Sequence, residues 1–326
     1  MKSNAVWVVE PHKLAVRPLE VPDPAWDEVQ IQVKACGICA LDLALFQGKS
    51  ASGPMPYVLG HEAVGVVCKI GAGVRDFKIG DKVYAANGGD NRQMSQYINN
   101  PVSGIGKIPD DVTDYTAWVL EPACCVVNLL LQADIQPGDR VVLVGAGYMG
   151  LLTLMGLSHT LAGEITVLEP RESSRNLAEA YRPDGCFDPD SEEGRRSIAR
   201  LRASGGADVV IEFSNSDAGY ELATKLVREQ GGKLVLGSWY RHPMSFDGDL
   251  WHLSGLKVLN ASPMMNRLYN ETVVRQTGLL VRRGVFEPKR LISHVLRYDD
   301  PALQDLFEDT VHKRNHYMKG IVLFDP

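Results

Sequence analysis

Residues 140–150 read RVVLVGAGYMG, and this stretch decides the fold of the chain. Four consecutive apolar residues after Arg140 predict a buried strand, and the glycines behind them have the spacing G-x-G-x-x-G. An apolar run as far as Leu157 then predicts a helix. A glycine-rich turn between a strand and a helix is typical of dinucleotide binding, because the backbone can approach a pyrophosphate at the helix N-terminus.

The next strand, EITVLEP, contains Glu169, an acidic residue about twenty positions beyond the turn. Its carboxylate is expected to accept hydrogen bonds from the adenosine ribose and to repel a phosphate there, which predicts NAD rather than NADP. Arg171 and Arg175 follow closely and leave a pairing with a 2′-phosphate open. A tight turn that binds nothing is the alternative interpretation. The predicted cofactor-binding residues are Gly145, Gly147, Tyr148, Met149, Gly150, Glu169 and Arg175.

Short strands alternate with helical segments from residue 137 onward. The strands are RVVLVGAG, EITVLEP, ADVVIEFS, GGKLVLGSW and LKVLNAS, and helices are predicted over 172–181, 192–204 and 217–230. This alternation predicts a doubly wound parallel sheet built from βαβ units. Two further helices, over 270–283 and 301–314, and a strand, GIVLF, follow.

The first third of the chain predicts a different kind of domain. Val29, Ile31 and Val33 alternate with polar residues, and β-like runs over 63–70 and 82–85 are separated by glycine turns. This pattern indicates an antiparallel, barrel-like sheet. The fold class expected for the whole chain is therefore α/β, with two domains.

Composition and charge exclude several classes of protein. The chain has 326 residues and a net charge of −6, so a nucleic-acid partner is not expected. The longest apolar stretch, 141–157, is shorter than the ~20 residues of a membrane span, and the N-terminus does not resemble a secretory signal. We expect a cytoplasmic protein without a membrane partner, whose cysteines are free thiols, with one or two available to a metal.

Three short motifs carry the remaining chemistry: CGICALD at 36–42, GHE at 60–62 and LEP at 120–122. Alone, Cys36 and Cys39 fit a redox pair or half of a zinc ribbon, and His61 fits a buried core histidine. Together with the glycine-rich turn, the motifs resemble the zinc-dependent medium-chain alcohol dehydrogenases, in the branch of sorbitol and threonine dehydrogenases. The segments GDKV at 80–83 and QPGDRV at 136–141 extend this resemblance along the chain.

The resemblance implies a GroES-like antiparallel β-barrel catalytic domain over 1–133 and 268–326, and a Rossmann domain over 134–267. It also implies one zinc ion per chain, because the stretch 85–95, where many relatives carry a four-cysteine structural zinc lobe, has no cysteine. Since that lobe often contributes subunit contacts, both a homodimer and a homotetramer are expected possibilities.

The same resemblance assigns the residues around the catalytic zinc. Cys39, His61 and Glu121 match the three ligands, with Cys124 and Cys125 as alternatives to Glu121. Three protein ligands leave one position open for water or substrate, which distinguishes a catalytic zinc from a structural one. An alcohol bound there becomes more acidic and can transfer a hydride to the nicotinamide.

Two acidic neighbours are candidate catalytic residues. Glu62 matches a carboxylate next to the metal that can also bind it, and Asp42 matches the acid that holds the ligating histidine. Leu41 occupies the position of the usual proton-transferring serine or threonine, while Cys36 lies outside the pattern and is expected to be buried. Either Glu62 and a water take over the proton, or activity on simple alcohols is weak. In the first case Glu62→Gln depresses turnover more than zinc content.

We predict oxidation of a secondary alcohol (a polyol, sugar or cyclitol) with NAD(P), because Glu121 matches the polyol branch. The alternatives are a threonine or amino-alcohol dehydrogenase, a zinc-free reductase of the same fold, and an NAD-binding protein without catalysis. The leading prediction requires Cys39, His61 and Glu121 to converge on one metal ion within reach of the nicotinamide.

Overall fold

The computed structural model describes residues 1–49, 55–86, 92–262, 271–312 and 314–324. By its internal contacts the chain divides into two compact units, Met1–Cys124 with Tyr269–Pro326, and Cys125–Leu268. The absence of a second zinc site was predicted from the stretch 85–95, of which residues 87–91 lie outside the described ranges.

Within the described residues the strands are, in chain order, β1 (Lys2–Glu10), β2 (Lys13–Glu20), β3 (Glu28–Gly37), β4 (Tyr57–Val58), β5 (Ala63–Ile70), β6 (Lys82–Ala85), β7 (Tyr97–Pro101), β8 (Ile105–Lys107), β9 (Arg140–Val144), β10 (Glu164–Leu168), β11 (Gly185–Phe187), β12 (Val209–Glu212), β13 (Lys233–Leu236), β14 (Lys257–Asn260), β15 (His294–Arg297) and β16 (Gly320–Leu323). The α-helices in the same ranges are α1 (Ala40–Phe46), α2 (Glu121–Ala133), α3 (Tyr148–Leu157), α4 (Glu172–Ala178), α5 (Glu192–Ala203), α6 (Asp217–Leu226), α7 (Gly248–Ser254), α8 (Glu271–Arg282) and α9 (Leu303–Val311). Short 3-10 helices occupy Val102–Gly104, Tyr115–Trp118, Glu179–Tyr181 and Pro288–Leu291.

The first unit is built around a mostly antiparallel sheet, as the alternating pattern predicts. Its strands lie in the order β15-β16-β3-β5-β6-β8, and β7 also pairs with β3. A hairpin of β1 and β2, extended by β4, forms a second sheet. Val29, Ile31 and Val33 are buried in one hydrophobic cluster, as the alternation predicts, although Gln30 is buried as well.

The second unit holds a six-stranded parallel sheet in the order β11-β10-β9-β12-β13-β14. Numbered from β9 this order is 3-2-1-4-5-6, the arrangement of doubly wound dinucleotide-binding folds. The residues of β9 that follow Arg140 are all buried, as expected for a central strand covered on both faces. The predicted parallel sheet is confirmed.

The predicted helices are present with shorter bounds. The helix predicted over 217–230 stops at Leu226, because the following residues bond to the chain in front of β12 instead. There Ala207 donates its N–H to the carbonyl oxygen of Leu226 and accepts the N–H of Arg228, each at 2.8 Å. The helices predicted over 270–283 and 301–314 are α8 and α9, with residues 270 and 313 outside the described ranges.

One helical stretch, Tyr115–Ala133, is long and apolar enough to cross a membrane by length and composition alone. It contains a 3-10 turn and α2, a helix that the sequence pattern did not predict. Buried residues make up 56% of its most apolar window. We interpret it as a core helix, because core helices of globular proteins are apolar in the same way.

Candidate metal and dinucleotide sites

The first candidate site is built where β3 passes into α1. Cys39 is the N-cap of this helix and has an extended backbone, with φ −109° and ψ 163°. Two residues earlier, a Cβ on Gly37 would lie 1.9 Å from a carboxylate oxygen of Glu62. The glycine therefore allows Glu62 to lie against the end of β3.

Asp42 connects the two segments that carry the candidate ligands. One of its carboxylate oxygens accepts the backbone N–H of Cys39, and the other accepts that of Gly60, each at 2.8 Å. The residue is fully enclosed, and burial raises the pKa of Asp42 against the opposing charge of His61. Asp42 thus positions Cys39 and His61 through the backbone, and it acts on the imidazole of His61 through its charge.

Cys39, His61 and Glu62 form a group that could hold a metal ion, because their ligand atoms all lie within 4.8 Å of one another. Sulfur, imidazole nitrogen and carboxylate oxygen are ligands that zinc accepts in proteins. Burial opposes protonation of His61, but the contact with Cys39 and the charge of Asp42 outweigh it and raise the pKa of His61 well above its ordinary value. Negative charge is therefore concentrated here, and the donor set fits a divalent cation such as zinc.

Glu62 makes a buried ion pair that the sequence analysis missed. Lys319, directly before β16, places Nζ 2.5 Å from Oε2 of Glu62 and 3.0 Å from the carbonyl oxygen of Ile38. The side chains of Lys319 and Glu62 are 4% and 1% exposed, so water competes little for either charge. The lysine therefore fixes the position of Glu62 beside the candidate ligands. The sequence indicates this ion pair only by a lysine that directly precedes an apolar strand.

Glu121, the predicted third ligand, is the first residue of α2 and is half-buried. It does not belong to the group of three within 4.8 Å, but its charge contributes to the raised pKa of His61. The alternative ligand Cys124 is fully buried, and burial raises the pKa of its thiol. Cys124 is thus enclosed in the core, whereas the charge of Glu121 acts on His61 of the group.

The other residues singled out around the motif belong to the core or its edge. Cys36 is fully buried in a hydrophobic cluster, as predicted, and burial raises the pKa of its thiol. Leu41 packs against the same cluster. Cys125 is half-buried and lies outside the group of three. All six cysteines, each within the described residues, are free thiols.

The second candidate site is the turn between β9 and α3, in which each of the three glycines is required for a different physical reason. Gly145 has φ +95°, and a Cβ there would lie 2.6 Å from the backbone nitrogen of Ser214. A Cβ on Gly150 would lie 2.1 Å from the carbonyl oxygen of Gly145. At Gly147 the space is open, since only Nη2 of Arg171, at 3.6 Å, lies within contact range among the described atoms. Gly145 and Gly150 therefore serve the fold, and Gly147 leaves room for a ligand.

Helix α3 begins at this open position. Gly147 is its N-cap and has no side chain that could cap the first N–H groups. Tyr148 and Met149 start the first turn and are half-buried. The N–H groups of a helix N-terminus carry partial positive charge and attract an anion. The turn therefore fits the pyrophosphate of a dinucleotide.

Glu169 lies beside the turn as predicted, but its carboxylate is already engaged. Oε2 accepts the backbone N–H of Ala146 at 2.7 Å and Nη2 of Arg171 at 3.2 Å. Oε1 accepts the backbone N–H and Nε of Arg171 at 3.0 and 2.9 Å. The other predicted contact, Arg175, donates to the carbonyl oxygens of Glu169 and Pro170. Arg171 thus faces the glycine turn, whereas Arg175 stabilises the backbone that follows β10.

Comparison with known proteins gives the same picture of the fold. Residues 25–110 match the alcohol dehydrogenase GroES-like domain, a range that includes Cys39, His61 and Glu62. An uncharacterized zinc-type alcohol dehydrogenase-like protein of Escherichia coli (strain K12) is 25% identical, and the alignment covers 99% of each chain. D-xylulose reductase A of Aspergillus niger is 26% identical over 88% of each chain.

A solved structure is similar over nearly the same extent. A putative zinc-binding dehydrogenase from Sinorhizobium meliloti 1021, bound to NADP, superposes with a TM-score of 0.84 at 23% identity. The superposition covers 99% of this chain and 100% of that one. The predicted α/β fold class, with GroES-like and Rossmann parts, is confirmed.

Proposed function

We propose that this chain, which resembles the zinc-dependent medium-chain alcohol dehydrogenases over its whole length, oxidises the secondary alcohol of a polyol, sugar or cyclitol with NAD(P). The observation that carries the proposal is the convergence of Cys39, His61 and Glu62 within 4.8 Å in the first unit. The open glycine turn of the second unit supports the nicotinamide dinucleotide as the oxidant.

Cys39 and His61 would hold the catalytic zinc, with Glu121 as the third protein ligand. The charge that Glu121 exerts on His61 supports this assignment. A bound zinc ion would act as a Lewis acid that lowers the pKa of the substrate hydroxyl. Asp42 would keep the two ligand-bearing segments in register through its bonds to the amides of Cys39 and Gly60.

Glu62 would act next to the metal as the carboxylate that handles the substrate proton, since Leu41 packs into the core and carries no exchangeable proton. Lys319 would hold Glu62 in place for this role. On the second unit, Gly147 and the N-terminus of α3 would bind the pyrophosphate of the dinucleotide, which when bound would supply the hydride acceptor.

The polyol assignment is supported by the similarity to D-xylulose reductase A and by the glutamate at position 121. We further propose a homodimer or homotetramer, which sedimentation of the purified chain would test, and a cytoplasmic location, which fractionation of cells would test.

The test combines metal analysis with a rate survey. We expect about one zinc per chain, and nicotinamide reduction with sorbitol, xylitol or an inositol that exceeds the rates with threonine and short alcohols. Cys39→Ser should remove both zinc and turnover. Faster turnover of threonine would move the function to amino alcohols, and carbonyl reduction without zinc would indicate a zinc-free reductase.

A further inference from the structure

We propose that Arg171 recognises the 2′-phosphate of the adenosine ribose, so that this chain binds NADP(H) in preference to NAD(H). The inference rests on the nicotinamide cofactor of the proposed function and names which form is used. The inference reverses the expectation that Glu169 favours NAD over NADP. All residues on which the inference rests lie in the second unit.

The first step is the occupancy of Glu169. A carboxylate has two oxygens with about four acceptor positions. In this chain they accept four hydrogen bonds, three from Arg171 and one from the amide of Ala146, at 2.7 to 3.2 Å. Glu169 is also 3% exposed. The ribose hydroxyls of NAD could therefore bond to Glu169 only by displacing Arg171 or the amide of Ala146.

The second step is the charge. Burial raises the pKa of Glu169, but the hydrogen bonds and the charge of Arg171 outweigh it and hold this pKa below its ordinary value. Glu169 is thus ionised at neutral pH and paired at 2.9 Å with a guanidinium. The positive charge of Arg171 offsets the negative charge of this carboxylate, so the pair as a whole does not repel a 2′-phosphate.

The third step is the donor capacity of Arg171. A guanidinium has five N–H groups in a planar fork that matches phosphate oxygens. The side chain uses two of these groups on Glu169, and the described residues offer no partner to the rest. Its side chain is 38% exposed, and its Nη2 lies beside the open position of Gly147. Glu169 therefore holds Arg171 with unused donors at the turn where the dinucleotide binds.

The neighbouring arginine does not compete for this role. Arg175 donates from Nη1 to two backbone carbonyl oxygens at 2.8 and 2.6 Å, and its side chain is only 20% exposed. Releasing it for a phosphate would leave the carbonyls of Glu169 and Pro170 without these bonds. Of the two arginines near the strand end, Arg171 alone combines exposure with unused donors.

The experiment measures nucleotide binding to the purified chain without substrate, by tryptophan fluorescence or calorimetry. We expect NADPH to bind at least about tenfold more tightly than NADH, the scale of one charge-assisted hydrogen bond. Adenosine 2′,5′-bisphosphate should likewise compete better than 5′-AMP. Arg171→Ala should weaken NADPH binding about tenfold and should not weaken NADH binding, because it frees Glu169 for the ribose hydroxyls.

Arg196→Ala is the matched control, because Arg196 lies on α5 with its side chain 67% exposed. It should change neither affinity. NADH binding as tightly as NADPH, or equal losses of both in Arg171→Ala, would overturn the inference. If neither nucleotide bound, the nicotinamide part of the proposed function would fail with it. A clear NADPH preference without alcohol turnover would leave the inference standing and refute the proposed function alone.

Discussion

The two cysteines of the CGIC motif have opposite surroundings, although they are only three residues apart. Cys39 lies at the start of α1 with His61 and Glu62, whereas Cys36 is enclosed in the core. We expect Cys39→Ala to lose zinc, measured by plasma mass spectrometry. Cys36→Ala should retain zinc and lose about 1 kcal/mol of unfolding free energy from the small cavity. Zinc loss in both variants would assign both thiols to the metal.

The buried pair of Glu62 and Lys319 predicts a strong effect on stability. Lys319→Met leaves the carboxylate of Glu62 without its partner in a site that excludes water, so the unfolding free energy should fall by about 3 kcal/mol in urea titrations. Lys69→Met is the control, because its ion pair with Asp23 lies at the surface. It should have a much smaller effect. Equal effects of the two variants would show that water reaches Lys319.

The turn between β9 and α3 separates the requirements of the fold from those of the ligand. Gly147→Ala adds a methyl group that, among the described atoms, meets only Nη2 of Arg171 at 3.6 Å, so stability should be retained. The same methyl occupies the space for the pyrophosphate, and nucleotide affinity should fall by about tenfold or 1.4 kcal/mol. Calorimetric titration measures this change.

Gly145→Ala gives the opposite result in the same turn. Its positive φ and the close approach of Ser214 strain any side chain there, so the unfolding free energy should fall by about 2 kcal/mol. If Gly147→Ala destabilised the protein as much as Gly145→Ala, the open space at Gly147 would have a structural role.

The turn in front of β6 predicts a dependence of stability on pH. Asp81 accepts the backbone N–H of Lys78 and pairs with Lys107 at 2.9 Å. Burial raises the pKa of Asp81, but the hydrogen bonds and the charges of Lys107 and Lys78 lower it by more. The pKa of Asp81 therefore lies below its ordinary value. The stabilisation is therefore fully present above pH about 4, the unfolded pKa, and is lost as the pH falls through the folded pKa.

Asp81→Asn should consequently lower the unfolding free energy by about 1 kcal/mol at pH 7. The difference from the natural chain should shrink when the urea titration is repeated near pH 3. Asp299→Asn removes an exposed pair with Arg297 and should have less effect at either pH. A difference for Asp81→Asn that did not change with pH would exclude the ion pair as its cause.

At the scale of the whole molecule, the two candidate sites belong to different compact units. The metal group lies in the unit that includes residues 1–124, and the glycine turn lies in the unit of residues 125–268. We expect a chelator to abolish alcohol oxidation and to leave the affinity for NADPH within about twofold. Fluorescence titration before and after dialysis against dipicolinate tests this, with re-addition of zinc as the control. Loss of nucleotide binding on chelation would mean that zinc is needed to fold the second unit.

The sequence by itself determined the fold class and most of the elements, but not helix α2. The strand, glycine turn and helix around residue 147 were predictable because burial periodicity and glycine spacing are local properties of the chain. The family resemblance was confirmed by the similarity to zinc-type dehydrogenases, and the motifs at 36–42 and 60–62 brought Cys39, His61 and Glu62 into consideration. The assignment of Glu121 as a ligand stays a prediction.

Only the tertiary structure decided which side chains meet. Lys319 lies 257 residues from Glu62 in sequence, and no local pattern connects them. Helix α6 ends at Leu226 because Ala207, from another segment, takes its hydrogen bonds. Arg171 is only two residues from Glu169, but their spacing alone does not form the ion pair. The pair depends on the side-chain rotamers that the folded chain imposes. Periodicity specifies the backbone, whereas charge pairing depends on distances that exist only after the chain has folded.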